Sequence, residues 1–383
     1  MDGHSLTFES LLESHSKELS DFNIADLNLA AAHGLPGIVH LNTDTYIEDL
    51  YEWSRRVQFE ICRHLYQLDS QADQGPTEFT YGNSLARFIC WYMLQVLQED
   101  CGVKYNPERK FDPDFCQPED LFIHGIVDEK GYGGTCASMP VVYVAIGQLL
   151  GLPVSLVETR GHLFFRWDDP KGTTLQWKNP YLTLWIPPDR FNIEGSGEGI
   201  AYYPDSHYIQ WPEVWKEVDF QHGRYLRSMT HRDALAAFLV QRSECFFELQ
   251  NWHECLKAIF FARKLAPADA RYEWLHAERT KQFADYQHSQ QILQELTSHA
   301  RQVGVKNQTM KHGNHCQCYR REDREKAKEP VGMPGHAEHC LCSGCLQSRT
   351  QAKIGAPLGH SAFQIPGPTP SPFPPQLPGM THF

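Results

Sequence analysis

The sequence predicts an α+β fold, and three patterns support this. Apolar residues at three- and four-residue steps predict helices toward both ends of the chain, over residues 43–68, 80–101, 232–270 and 272–299. Short β-branched and aromatic runs, broken by Pro, Gly and Asp, predict strands within residues 154–194. An apolar run at residues 141–150, closed by Gly151-Leu152-Pro153, predicts a buried helix.

Composition narrows the classes of protein to consider. The chain has 383 residues, which is enough for two domains and a sizeable core. Its net charge of −12 argues against a nucleic-acid partner, because phosphate binding requires a basic face. The sequence has no apolar stretch of about 20 residues and no basic, apolar signal segment at its start. We therefore expect no membrane span, and a cytoplasmic protein with reduced thiols.

A cysteine lies directly before the apolar run, in the motif Gly-Gly-Thr-Cys-Ala-Ser-Met-Pro (residues 133–140). This order predicts that Cys136 lies in the first turn of the helix, where free N–H groups favour the nucleophilic thiolate. The glycines Gly133 and Gly134 would let the backbone approach a substrate closely. The amide of Cys136 would form part of an oxyanion hole, for which the sequence identifies no side-chain donor.

A histidine follows soon after the predicted helix. His162 lies at the edge of a predicted strand pair, immediately after Gly161. By itself Cys136 is better explained as a small buried residue and His162 as a polar cap. Together they are typical of cysteine hydrolases and acyltransferases, in which nucleophile and base come from separate elements.

Three stretches carry a family resemblance: the motif around Cys136, Gly-Leu-Pro-Val at 151–154, and Gly-His-Leu-Phe-Phe-Arg-Trp at 161–167. They resemble the core of the transglutaminase-like superfamily, and in particular its bacterial branch, in which a tetratricopeptide-like helical segment follows the core. The resemblance covers about residues 81–267. It implies a papain/transglutaminase-like core, in which the helix bearing the Cys packs on a small antiparallel sheet. It also implies a Cys-His-Asp/Glu/Asn triad that attacks an amide or ester carbonyl through a thioester.

The third member of such a triad has three candidates. Asp168 is close to His162 in sequence but occupies a predicted turn, and Asn179 follows the next strand at a spacing like the family's. Glu194 ends the run Arg-Phe-Asn-Ile-Glu, and the resemblance to the bacterial kin favours it. Asp168 and Asn179 remain open. His124 could also reach the site, although a core position explains it better.

The helical region after residue 231 contains one tetratricopeptide-like pattern. Its large, small and terminating positions are Leu239, Phe246, Cys255, Ile259, Ala262 and Pro267. A single helix pair cannot bury its own apolar face, so we expect it to dock on the core and on the next helix. A structural brace is favoured over a groove for a protein partner. Residues 201–215, which are rich in aromatics, are expected to cover the sheet.

The C-terminal region changes composition. Cysteines at metal-ligand spacing predict a zinc site, with Cys316, Cys318, Cys340, Cys342 and Cys345 as ligands. Free thiols on a disordered tail are the alternative. The predicted divisions are an N-terminal helical segment, the core, a helical segment, the Cys/His-rich segment and a Pro-rich tail: residues 1–78, 79–230, 231–303, 304–355 and 356–383.

These patterns predict a cysteine hydrolase or acyltransferase that acts on peptide or protein substrates. Cys136 would attack the carbonyl, His162 would move the proton, and Glu194 would hold the imidazole ring. No cofactor and no calcium are expected for the reaction. The alternative is a non-catalytic scaffold that assembles protein partners through its helical repeat and a metal-binding tail.

Overall fold

The computed structural model describes residues 7–13, 19–38, 41–71, 80–109, 117–128, 131–178, 181–197 and 199–302. These residues belong to two compact units. Described residues up to Ala277 form the first unit, and the second unit begins at Glu278. Helices and small antiparallel sheets make up the first unit, which confirms the α+β prediction. Asn179, the five cysteines predicted to bind zinc and the Pro-rich tail lie outside the described residues.

The helices are numbered here in chain order. They are α1 Phe8–Glu13, α2 Ile24–Ala32, α3 Thr43–His64, α4 Leu85–Gln95, α5 Pro118–Leu121, α6 His124–Val127, α7 Met139–Leu149, α8 Asp205–Tyr208, α9 Glu217–His222, α10 His231–Glu248, α11 Trp252–Leu265 and α12 Ala270–Gln302. Two 3₁₀ turns, Leu65–Gln71 and Pro107–Arg109, and one π turn, Val96–Asp100, accompany them. The helix predicted over residues 80–101 is therefore α4 followed by the π turn.

Helix α7 is the centre of the core. It is apolar on all sides, and its residues 139–147 are all buried. It packs against α2 and α3 and also against strands β1 (Val154–Thr159) and β2 (His162–Asp169). The helix begins at Met139, so the prediction that Cys136 lies in its first turn was wrong. Pro140 has no N–H to donate to the Cys136 carbonyl, which leaves residues 136–138 as a separate turn.

The sheet that faces α7 has three antiparallel strands in the order β1-β2-β5. Strand β5 is Asp189–Ile193, while β3 (Thr173–Lys178) and β4 (Tyr181–Ile186) form a separate hairpin. Thr159 pairs with His162 across a tight turn, where Gly161 has a φ of +71°. Since side chains alternate along a strand, His162 faces the opposite way from Leu163 and Phe165. The Phe165 ring lies 5.5 Å from the Tyr143 ring of α7.

The helix pair α10–α11 docks on the N-terminal helices. Arg242 of α10 donates hydrogen bonds to the carbonyls of Ala31 and His33 at the end of α2, at 2.8 and 2.7 Å. Its guanidinium also lies over the rings of Phe8 and Phe246, at 4.7 and 5.0 Å. These contacts give the pair an apolar and hydrogen-bonded partner surface that it lacks alone.

Candidate active site

The turn that carries Cys136 is fixed by two hydroxyl side chains. Thr135 Oγ1 donates to the carbonyl of Asp120 at 2.6 Å and accepts from the amide of Ala137 at 3.1 Å. Ser138 Oγ accepts from the amide of Thr135 at 3.1 Å. Cys136 is half-buried at this turn, and its position relative to helix α5 is therefore set by side-chain hydrogen bonds.

The glycines before Cys136 serve packing. A Cβ at Gly134 would lie 2.6 Å from Ile126 Cδ1 and 2.7 Å from Met139 Cγ. A Cβ at Gly133, whose φ is +88°, would lie 3.1 Å from the amide nitrogen of Asn106. Packing therefore accounts for both glycines, while the prediction that they let the backbone approach a substrate stays a prediction.

The structure brings Cys136, His162 and Glu194 together. His162 is 5% exposed, and its Nε2 lies 2.7 Å from Oε2 of Glu194. The Cys136 thiol lies near enough to the imidazole to raise the pKa of His162. The three residues therefore belong to one site, in which the His162 ring is held by Glu194.

The charged forms of His162 and Glu194 stabilise each other. Burial alone would lower the pKa of His162, but the Glu194 carboxylate and the Cys136 thiol together raise it to about 10. Burial would raise the pKa of Glu194, whereas His162 and the hydrogen bonds from Ser196 hold it below its usual range. At neutral pH the pair is therefore an imidazolium next to a carboxylate.

Both oxygens of the Glu194 carboxylate have partners. The amide of Ser196 donates to Oε1 at 3.0 Å, and the Ser196 hydroxyl donates to the same oxygen. The Tyr208 hydroxyl donates to Oε2 at 3.4 Å. Glu194 follows β5 directly, and two backbone hydrogen bonds with Ala201, of 2.8 and 3.0 Å, fix its main chain.

The glycine-rich loop after Glu194 is held by Gln98 and Tyr143. The Tyr143 hydroxyl donates to the Gly195 carbonyl at 2.8 Å, and Gln98 Nε2 donates to the same carbonyl at 3.2 Å. Gln98 Oε1 accepts from the amide of Gly199 at 2.8 Å. Gln98 lies in the π turn, so its role depends on a local departure from regular helix that the periodic pattern did not indicate.

Tyr105 is a second residue that sequence reasoning missed. Its backbone pairs with Gly134, because the Gly134 amide donates to Lys104 O at 2.9 Å and the Asn106 amide donates to Gly134 O at 2.8 Å. The side chain of Tyr105 is half-buried. Burial, followed by the charge of the Cys136 thiol, raises the pKa of Tyr105, so the phenol stays protonated. The sequence predicted a loop beside the cleft here, but a tyrosine in a loop carries no spacing signal.

Aromatic side chains cover the imidazole. The Trp211 ring lies 4.7 Å from the His162 ring in an edge-on arrangement, and Trp211 is 42% exposed. Tyr208 stacks on Phe164 with ring centres 3.8 Å apart. This agrees with the expectation that residues 201–215 cover the sheet.

The structure tests one of the two other candidates for the third member of the triad, Asp168, but not Asn179. The strand register pairs Asp168 with Arg190, and six strand residues, or about 20 Å, separate it from His162. Asp168 also accepts from the Ser228 hydroxyl. Its candidacy is therefore contradicted by the direction of β2, whereas Asn179 cannot be placed because it lies outside the described residues.

His124 is a core residue. It is 5% exposed on helix α6, and neither ring nitrogen has a hydrogen-bond partner among the described residues. Burial lowers its pKa to about 4, against which Asp128 acts weakly. The histidine is therefore neutral at pH 7, in agreement with the core explanation.

Searches of known proteins and of the described residues add little about function. No protein-family model, no curated protein and no solved structure matches the chain. Within the part of the chain that the structure describes, no cluster of three His, Cys, Asp or Glu residues is arranged to bind a metal. None of the helices described is both long and apolar enough to cross a membrane. Function must therefore be inferred from the residues around Cys136.

Proposed function

We propose that the protein is a transglutaminase-like cysteine hydrolase or acyltransferase that acts on peptide or amide carbonyls through a thioester. The observation that carries this proposal is that Cys136 lies near His162, a buried histidine whose Nε2 is 2.7 Å from Oε2 of Glu194. A nucleophile, a base and a group that orients the base are the three parts of such a site. A helix behind the cysteine and a histidine on the adjoining sheet are also consistent with a papain-like core.

The reaction begins when Cys136, as a thiolate whose proton is held by His162, attacks the carbonyl carbon through Sγ. The S–C bond forms as the π electron pair moves onto the carbonyl oxygen. The pair then returns, the bond to the leaving nitrogen breaks, and His162 gives its proton to that nitrogen. A thioester on Cys136 and a free amine result.

The second half uses the same residues in reverse. Water or an amine attacks the thioester carbonyl, and His162 accepts the proton that the attacking group loses. The S–C bond breaks and Cys136 is released. Glu194 takes no proton in either half, because its lowered pKa keeps it ionised while it holds the imidazole.

The pKa shifts support this assignment of roles. Because the pKa of His162 is raised to about 10, the imidazole carries its proton at neutral pH and is ready to protonate a leaving amine. A solvent-exposed histidine, with a pKa near 6.5, would be mainly neutral at the same pH. The buried carboxylate of Glu194 is the main group that raises the pKa of His162 above that of an exposed histidine.

A peptide library tests the proposal. The protein is incubated with a mixture of peptide esters and amides, and peptide-resolved mass spectrometry locates acyl adducts. We expect adducts on Cys136 in the wild type, none at that position in Cys136→Ala, and wild-type behaviour in the control Cys101→Ser. Added amine distinguishes transfer from hydrolysis by the product formed. Acyl adducts spread equally over Cys136 and Cys101 would contradict the proposal.

A further inference from the structure

We propose that Trp211 binds an apolar group on the side of the scissile bond that carries the leaving nitrogen. The site would then prefer peptides with an aromatic or aliphatic residue at that position. This inference rests on the function proposed above and names its substrate class. The observation behind it is that the Trp211 ring lies 4.7 Å from the His162 ring and is nevertheless 42% exposed.

Trp211 is the exposed end of a cluster of rings around the imidazole. Among the described residues, the rings of Phe164 and Tyr208 also lie near His162, at 6.4 and 6.3 Å, and both side chains are fully buried. The ring centres of Tyr208 and Trp211 are 6.4 Å apart. A substrate that approaches the imidazole can therefore contact Trp211 but neither of the two buried rings.

The loop that carries Trp211 is attached to the last residue of β1, Thr159. Thr159 Oγ1 donates to the carbonyl of Tyr208 at 2.8 Å and accepts from the indole N–H of Trp215 at 2.9 Å. The amide of Trp215 also donates to the carbonyl of Ile209 at 3.0 Å, which closes the loop. The backbone on both sides of Trp211 is therefore fixed to the turn between β1 and β2.

Arg160, in that same turn, holds two carboxylates of the loop region. Its Nε donates to Glu213 Oε2 at 2.6 Å, and its Nη1 donates to Asp219 Oδ2 at 2.9 Å. Both carboxylates thus have a cationic partner and offer little attraction to a positively charged substrate group. The imidazolium of His162, which lies next to the indole, would repel such a group. These charges favour an apolar group over a lysine side chain beside Trp211.

The chemistry of the reaction decides which part of the substrate meets Trp211. His162 gives its proton to the leaving nitrogen, so that nitrogen must come within hydrogen-bond distance of the imidazole. The carbonyl carbon is bound to Cys136 Sγ at the same time. Because the indole packs against the imidazole, the group attached to the nitrogen is the part of the substrate nearest to Trp211. An attacking amine would occupy the same place in the second half of the reaction.

The exposed part of the indole suits an apolar group. Aromatic rings pair favourably when their centres are about 4.5–7 Å apart, and apolar surface on both partners leaves water. Val214, three residues later in the same loop, is 69% exposed and adds apolar surface. An aromatic or aliphatic residue gains from this contact, whereas a small or charged residue gains little.

A competing explanation makes a different prediction. Trp211 could serve only to shield the imidazole from water, without contact to the substrate. Its removal would then slow acylation by every donor to the same extent. Loss of a binding residue instead changes the preference among donors, so the ratio of the rates is the decisive quantity.

The test uses three acetate esters with the full-length protein: phenyl acetate, 2,2,2-trifluoroethyl acetate and 3-(trimethylammonio)phenyl acetate. They share the acyl group and differ in the leaving group, which is aromatic, small or cationic. Peptide-resolved mass spectrometry gives the rate of acetylation of Cys136. Each rate is divided by the rate for free N-acetylcysteine, which corrects for the intrinsic reactivity of the ester.

We expect the corrected rate of wild-type Cys136 to be about tenfold higher with phenyl acetate than with either other ester. In Trp211→Ala the three corrected rates should agree within about threefold, and Trp211→Phe should keep most of the preference. Trp211→Gln repeats the measurement if the alanine variant fails to fold. The matched control is Trp185→Ala, a tryptophan of β4 that is 56% exposed outside the candidate site, and it should match the wild type.

The outcomes separate this inference from the function on which it rests. Equal corrected rates in the wild type would overturn the assignment of Trp211 while acylation of Cys136 stands. So would a preference for the cationic ester, or a preference that the Trp211 variants leave unchanged. If all three esters acetylate wild-type Cys136 no faster than Cys101, the proposed function fails, and the assignment of Trp211 fails with it.

Discussion

The Nε2 atom of His162 lies 2.7 Å from Oε2 of Glu194, and this contact holds the imidazole ring in place. Glu194→Gln keeps the shape but removes the charge that raises the pKa of His162. We expect acylation of Cys136 to fall by about 100-fold and the pKa of His162, followed by NMR, to fall from about 10.

Two further variants serve as an intermediate case and a control for that prediction. Glu194→Asp keeps the charge on a shorter side chain and should lie between the wild type and Glu194→Gln. Glu99→Gln, at an exposed position of the π turn, should match the wild type. If Glu194→Gln leaves the pKa of His162 unchanged, then the carboxylate does not control the imidazole.

Gln98 should act on catalysis through the loop that carries Ser196. Gln98→Ala removes the hydrogen bonds to Gly195 and Gly199, which loosens the loop that donates to Glu194. We expect about a tenfold slower acylation together with a lower pKa of His162, since Glu194 is held less firmly. The matched control is Gln95→Ala, at the exposed last position of α4, where the Gln95 side chain donates to Glu99. If Gln98→Ala lowers the free energy of unfolding but leaves the pKa of His162 unchanged, Gln98 has a structural role only.

His124 should make stability depend on pH. Its pKa is about 4 in the folded protein, compared with 6.5 for the free side chain, so the unfolded chain binds the proton more readily. Stability should therefore fall as pH falls from 6.5 toward 4. Two and a half pKa units correspond to about 3 kcal/mol. His162 has a raised pKa, so its contribution is fully present below pH 6.5 and adds no loss in this window.

Urea unfolding at pH 7 and at pH 4.5 measures the effect of His124. Other groups titrate over the same range, so the decisive quantity is the difference between wild type and His124→Leu. We expect the wild type to lose more free energy of unfolding than the variant does. Equal losses in the two proteins would show that His124 is not buried in its neutral form.

Arg242 should couple the helix pair α10–α11 to the rest of the first unit. Arg242→Ala removes two charge-assisted hydrogen bonds to the end of α2 and leaves buried carbonyls without donors. We expect a loss of about 3 kcal/mol in the free energy of unfolding. Arg55→Ala, at an exposed pair with Glu52, should change it by less than about 0.5 kcal/mol. An unchanged free energy of unfolding in Arg242→Ala would contradict this coupling, and so would separate melting of the helix pair in the wild type.

The elements around the site could be predicted from sequence because turn residues bound them closely. Gly161 and the Asp-Pro-Lys-Gly turn delimit β2, which is why His162 was placed correctly at a strand end. The choice of Glu194 over Asp168 depended on a resemblance, and the direction of β2 now excludes Asp168 on physical grounds. The hydrogen bonds of Gln98 and the backbone pairing of Tyr105 with Gly134 could not be predicted, since both join segments distant in sequence.

The start of α7 was mispredicted for a local reason. Gly-Gly before an apolar run indicates a helix start, yet Pro140 removes the amide that would have joined Cys136 to the helix.

Three predictions stay untested. They are the scaffold alternative with a partner on the helical repeat, a cytoplasmic location, and zinc binding by Cys316, Cys318, Cys340, Cys342 and Cys345. Metal content of a fragment spanning residues 304–359 after expression in zinc tests the zinc prediction.

The most direct test compares the cysteines of one protein. Burial raises the pKa of Cys62 and raises that of Cys101 to about 11, so both thiols should react slowly at neutral pH. Iodoacetamide at pH 7, followed by peptide-resolved mass spectrometry, gives a separate rate for each position. We predict that Cys136 is alkylated at least tenfold faster than Cys62 and Cys101, and that His162→Ala removes the difference. Equal rates at the three positions in the wild type would contradict the claim that His162 activates Cys136.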